Sequence, residues 1–178
     1  MRNDKSGILC LSQKKFDRHR QLHKKIIRYG KDIISSKEFQ SQRNYIQHGS
    51  IHVRRHCIDV ARQSLIISDF LHMRVNEEEM IRGALLHDYF LYDWHVQRKE
   101  PGSPLHGYSH PKTALLNATR DYELSEREKD IISKHMWPLT LSRIPRYKES
   151  WIVSLADKYC STLETLKIRK GNIKGISE

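Results

Sequence analysis

Apolar residues recur at helical spacing along almost the whole of this chain, and the two-residue alternation of a strand is nearly absent. In CIDVARQSLIISDFL, residues Ile58, Ala61, Leu65, Ile66 and Phe70 fall at i, i+3, i+7, i+8 and i+12, which reads as one helical face. NEEEMIRGALLHDYFLY opens on Asn76, a good N-cap, with acids in its first turn to complement the helix dipole. HPKTALLNATRDYEL carries Pro111 near its expected helix start. SEREKDIISKHM opens on Ser125 with Glu128 three residues on, the pattern of a capping box. KESWIVSLADKYCSTLETL is long and amphipathic, and QKKFDRHRQLHKKIIRYGKDIISS reads as a helix ending near Gly30 or Ser35. Between these segments lie KEPGSPLHGYS and WPLTLSRIPRY, breaks rich in Gly, Pro and Ser. Such a chain is expected to fold as an all-α bundle of about six or seven helices.

With 178 residues, 38% of them hydrophobic, the chain is long enough to enclose one sizeable core. The expected division is a basic N-terminal helical arm over residues 1–44, a helical domain over 45–167 and a polar tail over 168–178. Charge supports an arm, because residues 1–55 hold 14 Lys and Arg against four acids and so carry +10 of the net +11. A basic arm points to phosphate, and leaves nucleic acid open as a partner; a solvated helix face is the plainer reading, since few aromatics stand there to stack bases. Three scattered cysteines, Cys10, Cys57 and Cys160, imply a reduced cytoplasmic protein in which thiols pack. No run of about 18 apolar residues predicts a membrane span.

Within GALLHD an apolar run delivers His87 and Asp88 side by side. Eleven histidines and ten aspartates would make about 0.6 such pairs by chance, so the pair alone is weak. Its neighbours at a distance are more informative. Taken in order, His56, His87, Asp88, His110, His135 and Asp157 are separated by 31 residues, then one, 22, 25 and 22. A helix and a short connection return an antiparallel bundle to one level every 20 to 30 residues or so, so one ligand per helix can converge in one layer. An aspartate after WIVSLA or GALLH is costly to bury unless paired. Imidazoles and carboxylates together suit divalent Mn, Fe, Co, Ni, Zn or Mg, and the chemistry that uses such a set is metal-assisted hydrolysis.

The pattern of His56, His87-Asp88 and Asp157, with GALLHD before and WIVSLADKY around the last aspartate, resembles the HD-domain superfamily of metal-dependent phosphohydrolases. The likeness covers roughly residues 45–165, and with the segments YIQHGS, SHPKTALLNA and KHMWPLT the chain looks like a group of small, largely uncharacterised bacterial members. The resemblance implies an HD-type helical bundle in which His56, His87, Asp88 and Asp157 are the core ligands. His110 and His135 match the extra histidines of the subgroup that binds two ions. It further implies a phosphomonoester or phosphodiester substrate, nucleotide-like and small, hydrolysed by metal-activated water. The chain departs from the family where His87-Asp88 is followed by Tyr89, Phe90 and Leu91, in place of a small residue, a glycine and the lysine that can contact phosphate in many members. That cationic role then falls to Lys158, Lys112, Arg82, Arg54 or Arg55, with Asp88, Lys158 and His95 as the expected catalytic groups.

Other residues carry weaker signals. His106, four before His110, is an alternative ligand or a loop residue, and His48 and His52 stand on the approach to His56. Trp94, Trp137 and Trp151 read as core or pocket walls. Two further functional classes stay open: a catalytically inactive metal- or nucleotide-binding module, and a nucleic-acid contact through the basic arm.

Overall fold

The computed structural model describes residues 5–94 and 106–166. Among them are seven α-helices: α1 Lys5–Ser35, α2 Lys37–Ser41, α3 Val53–Phe70, α4 Glu77–Leu86, α5 His106–Asp121, α6 Glu126–Lys134 and α7 Lys148–Thr165. The fold is all-α, as the periodicity predicts. Between α2 and α3 a 3-10 turn leads into a small antiparallel hairpin, β1 Ile46–His48 and β2 Ile51–His52, with Gly49 at φ +57° in its turn. The hairpin is too short to leave an alternating signature in sequence.

The short helix α4 lies at the centre, in contact with α1, α3, α5, α6 and α7. Met80, Ile81, Ala84, Leu85 and Leu86 are all fully buried, because a helix surrounded on every side must be apolar all round. Each of the larger four contributes about 1.5–3 kcal/mol by leaving water. The second half of α1 joins this core through Leu22, Ile26 and Ile33, and Gly30 gives room for Leu85, whose side chain an added Cβ would meet.

Helix boundaries follow local chemistry. Asn76 caps α4 by accepting from the Glu79 N–H, and Ser125 with Glu128 closes the full capping box at α6. The break at residues 137–147 separates α6 from α7, as Pro138, Ser142 and Pro145 predict. Helix α5, however, begins at His106, within the expected break and five residues ahead of Pro111, which sits in the second turn. The apolar face of α3 also ends sooner than its spacing implies. Ile58, Ala61 and Leu65 are buried, whereas Phe70 is 78% exposed. At 100° per residue Phe70 lies about 120° round from Ile58 and has turned off the core face. No described helix is long and apolar enough to cross a membrane.

Candidate metal centre

Six side chains predicted as ligands meet in one buried layer. Each comes from a place where a helix begins or ends or faces the core: His56 from the first turn of α3, His87 from the C-cap of α4 with Asp88 next to it, His110 from α5, His135 from the C-cap of α6, Asp157 from the middle of α7. All six are at most 6% exposed. Their nitrogen and oxygen atoms form three overlapping sets that lie within 4.8 Å: His56, His87 and Asp88; His87, His135 and Asp157; Asp88, His110 and His135.

Asp88 is the hinge of the arrangement. Its Oδ2 lies 3.4 Å from His87 Nε2 and 3.8 Å from His56 Nε2, while its Oδ1 lies 3.1 Å from His110 Nε2 and 3.5 Å from His135 Nε2. The two oxygens of one carboxylate therefore face two different pairs of imidazoles. Asp157 Oδ1 stands 3.2 Å from His56 Nε2 and 3.8 Å from His87 Nε2. Opposite these, the Nε2 atoms of His110 and His135 approach to 2.8 Å.

The rings are set from behind. His87 Nδ1 donates to the Ala84 carbonyl at 2.7 Å and His135 Nδ1 to the Ile132 carbonyl at 2.8 Å, both three residues earlier in the chain. His56 Nδ1 reaches the buried carboxylate of Glu164 at 2.9 Å. A donating Nδ1–H turns Nε2 of each ring into the cluster, where it becomes a ligand nitrogen once it carries no proton. Asp88 is held likewise: the Gln47 amide donates to its Oδ2 at 2.6 Å and the Gln42 amide to its carbonyl at 2.9 Å.

Electrostatics keeps the acids ionised. Burial alone would raise Asp157 and Asp88, but the His56 hydrogen bond and the charge of His87 hold Asp157 below the carboxylate range, and His87 and His110 do the same for Asp88. Burial works against a charge on His56, yet Asp157 and Glu164 outweigh it and push that ring up to about 10. His135 is driven the other way, by burial and by the neighbouring His87 and His110, which disfavour a charge on its ring.

The residues fit a divalent ion on two grounds. His87 Nε2 and Asp88 Oδ1 are buried without a well-aligned hydrogen bond, although cluster side chains stand within 3.1–3.4 Å of them, and buried polar atoms left in that state are rare in a folded interior. An ion would satisfy both. The donor set is imidazole and carboxylate without thiolate, which suits first-row divalent metals or Mg rather than a thiolate-held zinc.

The cluster opens onto a cleft of about 440 Å³ lined by Gln47, His48, Trp94, Met136, Lys158 and Thr162, among others. Among the cations considered from sequence, Lys158 lines this cleft, with Nζ 3.2 Å from Asp157 Oδ2 and also bonded to the His135 carbonyl. Arg82 is engaged by Asp32 and Glu128, Arg55 by Asp59, and Lys112 is exposed on α5. Arg54 is half-buried but does not line the cleft. Leu91, the third residue after His87-Asp88 and the position at which the resemblance leads one to look for a lysine, is partly buried against the core, behind the fully buried Tyr89 and Phe90. His48 reaches the rim, its ring 5.9 Å from that of His56, and His52 is exposed at the N-cap of α3. His95 and the His106 side chain lie outside the described residues. Trp94 walls the cleft as expected, and Trp137 and Trp151 meet edge to face in a separate apolar groove. Cys57 and Cys160 are buried thiols outside any disulfide, in keeping with a packing role.

Glu164, Gln47 and Ser161 were not visible as site residues in the sequence. Two of them had a signal: Ser161 and Glu164 follow Asp157 at i+4 and i+7, the same face of α7, and Ser161 Oγ reaches Asp157 Oδ1 at 3.2 Å. Gln47 arrives from the hairpin, where no periodicity could announce it. No family model matches the chain, and neither a curated protein nor a solved structure does.

Proposed function

We propose that the protein is a metal-dependent phosphohydrolase of the HD type, acting on a small, nucleotide-like phosphate ester. One observation carries the reading. A single carboxylate, Asp88, presents one oxygen to His56 and His87 and the other to His110 and His135, an arrangement suited to two ions sharing a bridge. His56, His87, Asp88 and Asp157 would hold one, and Asp88, His110 and His135 the other. Divalent ions there would supply Lewis-acid activation of water and of the phosphoryl group.

The chain's own residues supply the rest. Lys158, at the mouth of the cluster, is placed to bind a phosphate oxygen and so takes the part of the lysine missing after Asp88. Its flexible stem and point charge suit a phosphate that changes shape during reaction. Gln47 and Ser161 keep Asp88 and Asp157 in register. Trp94 and Met136 wall the cleft and exclude bulk water from the reacting group, and a volume of about 440 Å³ accommodates a mononucleotide-sized ligand.

The test is metal content per chain in protein purified without chelator or affinity nickel, followed by turnover of phosphomonoesters and phosphodiesters with Mn, Co and Fe. About two equivalents, with turnover lost in Lys158→Ala at unchanged metal content, supports the reading. Metal bound without turnover of any ester favours the second one, an inactive metal- or nucleotide-binding module, to which Leu91 in place of a lysine lends support. No metal uptake at all removes both.

A further inference from the structure

Six cations stand between Phe16 and Lys31 on α1, and the fold divides them. Arg18 pairs with Asp69 of α3 at 3.6 Å and Lys25 with Glu77 of α4 at 2.6 Å, so these two tie the helix to its neighbours. Arg20, Lys24, Arg28 and Lys31 are exposed, and no carboxylate pairs with any of them among the described residues. Arg28 rests over the Tyr29 ring, 5.4 Å from its centre, a contact that leaves its charge uncompensated. At 100° per residue the four fall within an arc of about 80°, in a row about 16 Å long. The arc is centred opposite the core face of Leu22, Ile26 and Ile33, so the row is the outermost part of the helix. The acid on the same stretch, Asp17, stands at its foot.

Solvated surfaces normally intersperse both signs of charge. Like charges three and four residues apart repel one another, and a repeating anion removes that repulsion while shedding its own counterions. A lipid surface, an acidic peptide and a nucleic-acid strand all supply repeated negative charge. A helix that lies in a lipid surface buries a broad apolar face there. The apolar face of α1 is committed to the core, and beside the row stand single apolar groups, Ile27 at 38% exposure and Phe16 at 64%. Phe16 is one turn before Arg20 and on the same side of the helix. An uncovered aromatic ring next to a line of cations suits a strand, which stacks a base on the ring while its phosphates meet the cations. An acidic peptide has no base to stack. Arg20 and Arg28 add forked donors that match a phosphate in a bidentate way.

We propose that the outer face of α1 binds single-stranded nucleic acid, with phosphates on Arg20, Lys24, Arg28 and Lys31 and one base stacked on Phe16. The site stands apart from the metal cleft. Helix α1 packs on α3 and α4, whereas the cleft is lined chiefly from the hairpin, α5, α7 and the end of α6. The inference does not depend on the hydrolase reading.

Fluorescence anisotropy of a labelled oligodeoxythymidine of about twenty nucleotides, titrated with the full-length chain, reads the binding. Four phosphate contacts on a single strand, at about −0.7 each, give a slope of log affinity against log salt of about −2.8, so affinity should fall about 50-fold from about 50 to about 200 mM salt. Lys24→Gln combined with Lys31→Gln removes two contacts and should bring the slope to about −1.4, with helix content and metal content unchanged. Phe16→Ala should weaken binding about tenfold at an unchanged slope, and Phe16→Trp should restore it. No binding at the lowest salt overturns the proposal and leaves the row a solvated face. A wild-type slope in the double variant overturns it too, because the strand then lies elsewhere on the chain. Unchanged affinity in Phe16→Ala removes the stacking, and with it the choice of a strand over other polyanions. Capture on phosphatidylserine vesicles without strand binding assigns the row to a membrane surface and overturns the proposal as well.

Discussion

Asp88 is the residue on which the site turns, and it can be tested against its neighbours. Because its two oxygens face two imidazole pairs, Asp88→Ala should lose both metal equivalents, whereas His110→Ala should lose one and keep the other; elemental analysis of the two purified variants distinguishes them. Loss of a single equivalent in Asp88→Ala would count against a shared bridge. Glu164 acts one step behind. It holds His56 through Nδ1, so Glu164→Ala should weaken metal binding by about 10- to 100-fold, while Glu164→Gln, which keeps an acceptor, should recover most of the loss. Titration calorimetry reads both. His56 also sets a pH dependence. In the metal-free protein its pKa is pushed up to about 10, so over the neutral range an ion must displace a proton from it. Metal affinity should therefore rise with pH up to that value, and uptake at neutral pH should release a proton, measured as a dependence of binding enthalpy on the buffer. The sign runs opposite for the metal-free fold. A raised pKa contributes stability below the ordinary 6.5, and that contribution is lost as pH rises through about 10.

At the scale of the element, the bundle depends on how closely α4 approaches its neighbours. A Cβ on Gly83 would stand 2.7 Å from Ile131 Cδ1 and 3.0 Å from its Cβ and Cγ2, and a β-branched side chain on α6 has little freedom to give way. Alanine gains about 1 kcal/mol of helix propensity over glycine, but overpacking costs about 1–3 kcal/mol, so Gly83→Ala should destabilise in chemical denaturation despite the better helix former. Element ends were the most legible part of the chain. Asn76 and the Ser125–Glu128 box predicted their helix starts because capping is a matter of two or three residues with fixed offsets. The same local reasoning failed at Phe70 and Pro111. Whether the end of α3 stays on the core face, and how far α5 extends before its proline, depends on neighbours that sequence spacing does not represent.

For the whole molecule, the His/Asp cluster joins α3, α4, α5, α6 and α7, with the hairpin holding Asp88 from outside, so an ion bound there would be linked to the stability of the whole bundle. Removing metal with a chelator should lower the melting temperature. At a metal concentration a thousand times its dissociation constant the loss is about 4 kcal/mol, enough to be followed by circular dichroism, and adding metal back should restore it. An unchanged melting temperature would mean that the cluster holds no ion.

The sequence by itself determined the all-α class, most helix starts and the identity of the six residues that meet at the centre. Each of these rests on short-range periodicity, on local hydrogen bonding at helix ends, or on the expense of burying a carboxylate beside apolar residues. Only the tertiary structure decided which oxygen of Asp88 faces which imidazoles, that Glu164 and Gln47 stand behind the ligands, and that Lys158 rather than Arg82 lines the cleft. These are relations between side chains some 20 to 110 positions apart, set by the packing of one helix on another, and no spacing within a single helix encodes them.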